Sequence, residues 1–200
     1  YGDVTSTMAA ALASARLKIP VAHVEAGIRT DARHNPEELN RRVADHVSSL
    51  LLTPTKSASA NLVREGFALE DIAYTGDVMQ DILLETMSHL DLVPRQGDYL
   101  LATVHRAENV DDASRLRAIV EALIKCGERI VFPAHPRTRK RLESTGLMSL
   151  LDASRNVQVL PPLGYKDFIS LLAGAAMVLT DSGGLRREAY IMGKPVVVLI

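Results

Sequence analysis

Ser182-Gly183-Gly184 stands between an apolar run, Ala175 to Leu179, and a helix-like stretch that carries Glu188. A helix starting at such a turn offers unpaired N–H groups and the positive end of its dipole, both of which favour an anion. The glycines let backbone approach a ligand closely, and Ser182 adds a hydroxyl donor. Glu188, a turn into the helix, is suited to accept hydrogen bonds from neutral hydroxyls such as those of a ribose. Phosphate and sugar diol together point to a nucleotide. The alternative is a strand-to-helix turn whose glycines serve tight packing.

Other reactive side chains follow apolar runs in the same way. Asp3 precedes a helix-like run, Glu25 follows Val21–Val24, His105 and Arg106 follow Leu100–Val104, and His135 follows Ile130–Ala134. In open parallel sheets ligands bind beyond the carboxyl ends of the strands, so these groups are expected in one shared cleft. A structural carboxylate beside Arg29 or Arg41 is the other account of Glu25. In Pro36-Glu37-Glu38-Leu39-Asn40-Arg41-Arg42, early proline and first-turn acids also read as ordinary helix initiation. One of Glu37 and Glu38 at most is expected to be functional, with Glu38 and Arg42 forming a surface pair. His23, His34, His46 and His89 have no ligand spacing, so no metal site is expected. Phe168 reads as the apolar face of a helix, and Asn109 as the cap of a helix beginning near Val110.

Short branched or apolar runs alternate with helix-period segments along the whole chain. Strands are expected over 21–25, 49–53, 71–75, 99–104, 129–133, 156–160, 177–180 and 195–200. Helices are expected over 5–17, 36–48, 55–65, 78–88, 113–126, 136–143, 165–173 and 184–192. This alternation predicts an α/β fold with parallel sheets covered on both faces and right-handed crossovers. Residues 87–98 break the rhythm and read as a junction between units 1–90 and 91–200.

The 200 residues are 47% hydrophobic with a formal net charge of −1, enough for a substantial core and without bulk attraction for nucleic acid or an anionic membrane. The single cysteine, Cys126, fits a reducing cytoplasm and reads as a packed or inert thiol. No apolar run reaches the length of a membrane span. The chain opens on Tyr1 and closes within an apparent strand, Val196-Val197-Val198-Leu199-Ile200, so it reads as an internal piece of a longer protein.

Taken in order, these strings make the chain resemble the non-hydrolysing UDP-N-acetylglucosamine 2-epimerases. The resemblance is carried by Gly2-Asp3 before a Ser/Thr-rich helix, His23-Val24-Glu25-Ala26-Gly27-Ile28-Arg29 and Pro36-Glu37-Glu38-Leu39-Asn40-Arg41. It continues through Thr75-Gly76-Asp77-Val78-Met79, Thr103-Val104-His105-Arg106-Ala107-Glu108-Asn109 and His135-Pro136-Arg137-Thr138. Asp181-Ser182-Gly183-Gly184, Glu188-Ala189 and Gly193-Lys194-Pro195 complete it.

The resemblance implies two Rossmann-like domains facing a cleft, of the glycosyltransferase B type, both truncated here. Residues 1–90 would be the later part of the first domain and 91–200 most of the UDP-binding second. It implies interconversion of UDP-GlcNAc and UDP-ManNAc, supplying surface-polysaccharide precursors, without NAD or an obligatory metal. Asp3, Glu25 and Glu37 match the family's acid/base carboxylates, as alternatives for the two proton-transfer roles, and His105 its catalytic-site histidine. Ser182, Gly183 and Gly184 match the diphosphate turn, Glu188 the ribose carboxylate and Phe168 the uracil pocket. Arg106 matches a diphosphate partner, and His135 a position tied in bacterial members to a second, regulatory UDP-GlcNAc. A homodimer and a cytoplasmic setting are implied, and the 200-residue piece alone is expected to be inactive.

The chain departs from the family pattern at Arg186 and Arg187, which either strengthen diphosphate binding or face solvent, and in the short segment Thr30 to Asn35. The rivals are a hydrolysing epimerase that releases ManNAc and UDP, and a glycosyltransferase of the same fold class. Three carboxylates suit proton transfer at C2 better than glycosyl transfer.

Overall fold

A computed structural model describes residues 1–31, 35–92 and 97–199. His34 with Ala32 and Arg33 of the short segment, Pro94, Arg95 and Gln96 of the expected junction, and Ile200 lie outside the described residues. The chain forms two compact units, residues 1–81 and 82–200.

The first unit runs α1 (Thr5–Arg16), β1 (Ala22–Val24), α2 (Pro36–Val47), β2 (Leu50–Thr53), α3 (Lys56–Arg64) and β3 (Ile72–Tyr74). Its strands pair in parallel in the order β1-β2-β3, with His23 opposite Leu51 and Leu52 opposite Ala73. Side chains cap the starts of α2 and α3. Asn35 accepts from the Glu37 N–H, with Pro36 in the first turn, and Thr55 accepts from the Ala58 N–H. Such caps contribute about 1 kcal/mol each. Ala26, Leu51 and Leu62 form the core, backed by Phe67 and Ile72.

α4 (Val78–His89) leads into the second unit, where Leu83 is fully buried. There follow β4 (Leu100–Thr103), α5 (Ala107–Val110), α6 (Ala113–Lys125), β5 (Ile130–Pro133), α7 (Pro136–Ser144) and α8 (Leu147–Ala153). The chain continues through β6 (Val157–Leu160), α9 (Tyr165–Gly174), β7 (Met177–Thr180), α10 (Gly183–Ile191) and β8 (Val196–Val198). Five parallel strands stand in the order β6-β5-β4-β7-β8. The two-residue period of β4 sends Ala102 to a core with Val120, Phe132 and Leu142, and Leu101 to one with Leu83, Ile169 and Leu185. Helices therefore cover both faces, as continuous apolar strands require.

Two details differ from the sequence expectation. Asn109 does not cap the following helix: it lies inside α5, buried, while Asp112 caps α6 by accepting from the Ser114 and Arg115 N–H groups. α8 is an additional helix, entered through Gly146 at φ 72°, with Leu147 and Leu151 buried. Lys194, following Gly193, ends α9 from outside by donating Nζ hydrogen bonds to the carbonyls of Ala173 (2.8 Å) and Ala175 (2.7 Å).

The order β6-β5-β4-β7-β8 has a consequence for function. The chain winds outward from β4 through β5 to β6, then returns to the other side of β4 for β7 and β8. The reversal lies between β4 and β7, which puts the residues after Thr103 and Thr180 at the topological switch point, the usual crevice for ligands.

Candidate functional site

In the first unit, the Gly2–Asp3 turn is held at the carboxyl end of β1. The Gly2 N–H donates to the Val24 carbonyl at 3.1 Å, and His23 Nε2 meets the Gly2 carbonyl at 2.9 Å. α2 grips Asp3 from its other side: Asn40 donates to its backbone carbonyl at 2.9 Å, and the Arg41 guanidinium donates to its carboxylate. Glu25 lies beside this turn, its Oε2 3.7 Å from where a Cβ on Gly2 would stand. The structure thus places the Glu25 carboxylate beside the turn that carries Asp3. Glu25 holds φ at 74°, a left-handed backbone that side-chain-bearing residues rarely adopt and that collects at functional sites.

Glu37 and Glu38 are divided by environment. Glu37 is exposed on the first turn of α2. Glu38 is 2% exposed and accepts from the Thr30 N–H (3.0 Å), Arg41 (2.9 Å) and Arg42 (2.8 Å). It is not the surface pair with Arg42 that the sequence suggested. Burial opposes its ionisation, but Thr30, Arg42 and Arg41 outweigh that and hold its carboxyl below the usual range. Of the two, Glu37 is the one open to a substrate.

Beneath them lies a structural carboxylate. Asp45 is fully buried and joins His23 Nδ1 (2.6 Å), Arg29 (2.7 Å) and the Gly27 N–H (3.2 Å). It ties β1 to the turn after Glu25. Arg29 also forks onto Glu65 at 2.7 and 2.6 Å. His23 is thereby a satisfied core histidine.

In the second unit, His105, His135, Phe168 and Ser182 line one cavity of about 240 Å³ together with Pro162 and Leu185. The rings of His105 and His135 are 6.3 Å apart. His135 opens α7, its side chain accepting from the Arg137 N–H. Arg106 opens α5, its side chain exposed.

The residue that organises this region is Asp181, for which the sequence suggests no separate role. It is 2% exposed and accepts from the N–H groups of His105 (3.0 Å) and Arg106 (2.9 Å) and from Asn109 (3.0 Å). Its Oδ1 also meets His105 Nδ1 at 2.8 Å. Burial works against the charge, yet the His105 ring, the Arg106 N–H, the Asn109 amide and the His105 N–H draw its carboxyl down to about 2. Its signal was legible: an acid directly after a buried strand, the criterion that selected Glu25.

Ser182 caps α10, accepting from the Leu185 N–H at 3.3 Å and keeping its own hydroxyl proton to donate. Gly183 and Gly184 occupy the first turn, where a helix supplies no acceptor for N–H groups. A Cβ on Gly184 would meet Ser182 Oγ at 4.0 Å and nothing closer; on Gly183 it would meet the tip of Arg186 at 3.6 Å. Gly27 is the contrast, where a Cβ would lie 2.4 Å from the Ala58 carbonyl oxygen. Packing within the chain demands glycine at 27 and does not at 183 or 184. Arg186 is exposed, with its guanidinium over this turn.

Glu188, 8% exposed, does not line the cavity; it accepts a hydrogen bond from Tyr165 at 3.0 Å. Burial pushes its carboxyl above the ordinary range, and the Tyr165 hydroxyl offsets part of that. Tyr165, 38% exposed, is raised to about 12 by its partial desolvation and then by the charge of Glu188. Nothing in the sequence singled out Tyr165, because its partner is distant along the chain.

Among the described residues no group of three or more His, Cys, Asp or Glu side chains is placed to hold a metal ion. Among them, too, no helix is long and apolar enough to cross a membrane.

Comparison with known proteins adds to this geometry. Residues 1–199 match the UDP-N-acetylglucosamine 2-epimerase family model. A UDP-2,3-diacetamido-2,3-dideoxy-D-glucuronate 2-epimerase of Pseudomonas aeruginosa is 45% identical over 100% of this chain and 57% of its own length. A UDP-N-acetylglucosamine 2-epimerase homolog of Methanococcus maripaludis is 44% identical over 100% of this chain and 58% of its own. Among solved structures, Methanocaldococcus jannaschii UDP-GlcNAc 2-epimerase, in complex with UDP-GlcNAc and UDP, superposes with a TM-score of 0.86 at 40% identity. That match covers 99% of this chain and 58% of the other. The chain thus spans somewhat more than half the length of the relatives it matches, and it belongs to the UDP-N-acetylglucosamine 2-epimerase family.

Proposed function

We propose that the protein carrying this chain interconverts UDP-GlcNAc and UDP-ManNAc by eliminating and re-adding UDP, with proton exchange at C2. The observation that carries the reading is the open Ser182-Gly183-Gly184 turn beside Asp181-held His105 at the switch point of the sheet. It offers N–H and hydroxyl donors to a diphosphate and keeps clear the space that side chains would fill.

The chemistry follows from the substrate. C2–H has no adjacent carbonyl, so direct deprotonation is very difficult. As the C1–O bond breaks, UDP leaves with the bonding pair and positive charge builds on the ring, which eases transfer of the C2 proton to a carboxylate. Reprotonation of C2 on the opposite face and attack of UDP oxygen on C1 give the epimer. Asp3, Glu25 and Glu37 are the carboxylates assigned to these transfers, and the α10 turn with His105 and Arg106 is assigned to the departing diphosphate. Phe168 is assigned to the uracil and Glu188 to the ribose.

One observation favours a second substrate. The 45% identical Pseudomonas aeruginosa relative acts on a 2,3-diacetamido uronate, so UDP-2,3-diacetamido-2,3-dideoxy-D-glucuronate is the alternative sugar for the same reaction.

The test uses the natural full-length protein in deuterated water, followed by NMR. Deuterium at C2 and accumulation of the epimeric UDP-sugar without free sugar are expected. Free ManNAc as main product would select hydrolysis, and epimer without deuterium would sink the proton-exchange reading. Running both UDP-sugars side by side assigns the substrate by the larger kcat/KM.

A further inference from the structure

We infer that Tyr165 is a positioning residue for nucleotide recognition, fixing the Glu188 carboxylate so that its second oxygen receives a ribose diol. The inference rests on the ribose role proposed for Glu188 and extends it to a residue on a different helix.

Glu188 lies in α10 at 8% exposure, and among the described residues its one side-chain partner is the Tyr165 hydroxyl, 3.0 Å from Oε1. No arginine or lysine among them forms an ion pair with it. Oε2 therefore keeps its acceptor sites open. A nearly buried carboxylate served by one neutral donor is unusual, because desolvation without a cation is costly. The arrangement makes sense where a ligand supplies the remaining donors. A cation in the place of Tyr165 would neutralise the charge and weaken it as an acceptor, whereas a phenol orients the group and leaves its charge intact.

Tyr165 is also placed for this task by its helix. It opens α9, and Phe168, three residues on and so on the same face, lines the cavity with Ser182. The first turn of α9 thus supplies both an aromatic wall and the anchor of the diol acceptor. Phosphate donors, aromatic wall and fixed carboxylate then come from the start of α9 and the first two turns of α10.

The test measures binding of UDP and of 2′,3′-dideoxy-UDP to the full-length protein by calorimetry, for wild type and Tyr165→Phe. The wild type is expected to prefer UDP. Tyr165→Phe should weaken UDP about tenfold, the worth of one hydrogen bond to a charged group, and leave 2′,3′-dideoxy-UDP within about twofold. Equal losses for both nucleotides would mean a merely structural contact, and no loss for UDP would remove the role; either overturns the inference. A wild type that binds both nucleotides equally would instead remove the ribose role of Glu188 itself. A melting curve of the variant separates misfolding from lost recognition, and Glu188→Gln, which keeps the shape but not the charge, should show the same selective loss.

Discussion

Asp181 holds His105 from β7 across to the end of β4, with Oδ1 2.8 Å from Nδ1 of the ring. The same carboxylate accepts the backbone N–H groups of His105 and Arg106, so it fixes both the ring and the loop that carries it. Because Nδ1 is committed to Asp181, Nε2 is the nitrogen left for a ligand. A buried acid that orients a histidine in this way sets which nitrogen acts, without touching the substrate itself.

Asp181→Asn is expected to cost roughly 2–4 kcal/mol of stability, since a buried acceptor of several donors loses its charge. The pH dependence follows from the depressed carboxyl. Asp181 sits at about 2 in the folded protein against an ordinary 3.8. Its contribution is therefore complete above about pH 4 and is lost as pH falls through about 2, because the unfolded chain takes up the proton first. Urea unfolding of wild type and variant between pH 2 and 5 checks this. The gap between them should close toward the acid end; a constant gap would disprove the charge-based account.

Glu37 and Glu38 offer a sharp contrast between neighbours. Glu38→Gln breaks buried bonds to Arg41 and Arg42 and is expected to destabilise the fold by about 3 kcal/mol. Glu37→Gln, on an exposed first turn, should stay within about 0.5 kcal/mol of wild type while turnover collapses. Chemical denaturation and an epimerisation assay on the two variants separate the roles. Active Glu37→Gln protein would take that residue off the list of proton-transfer groups.

The same pair shows where sequence runs out. Pro36-Glu37-Glu38 is an ordinary helix start whichever glutamate turns inward; Thr30 and Arg41 decide, and their placement is tertiary. The strands were legible because short branched or apolar runs alternate with helix-period segments, and in β4 the two-residue alternation sorts Leu101 from Ala102. α8 was not, because seven residues after α7 and a lone glycine give too little helical period to separate from a loop. Strand-end acids pointed to Glu25 and should have pointed to Asp181. The Tyr165–Glu188 bond spans 23 positions and has no local signature.

Glu25 carries its carboxylate on a left-handed backbone, φ 74°, where glycine is at ease and other residues are strained by about 1 kcal/mol. Glu25→Gly should therefore be about 1 kcal/mol more stable than Glu25→Ala, although glycine is normally the less stable choice. Both variants are expected to be inactive. Thermal melts compare them directly, and an alanine variant at least as stable as the glycine variant would show that the position stores no strain.

Gly184→Ala tests whether the space over the α10 turn is kept for a ligand. Within the chain an alanine Cβ there meets only Ser182 Oγ, at 4.0 Å, and its backbone is helical. Alanine is the better helix former, so the fold should gain up to about 1 kcal/mol. A methyl group beside the first-turn N–H groups, however, stands where a diphosphate would approach, and UDP affinity should fall at least about tenfold. Gly27→Ala gives the opposite pattern of stability. Its Cβ would lie 2.4 Å from the Ala58 carbonyl oxygen at φ 78°, so the first unit should lose about 2 kcal/mol or more. Melting curves and UDP titrations on the two variants form one experiment. A stable Gly184→Ala protein that binds UDP as tightly as wild type would show that the turn is open for no ligand's sake, and the nucleotide assignment of Ser182-Gly183-Gly184 would go with it.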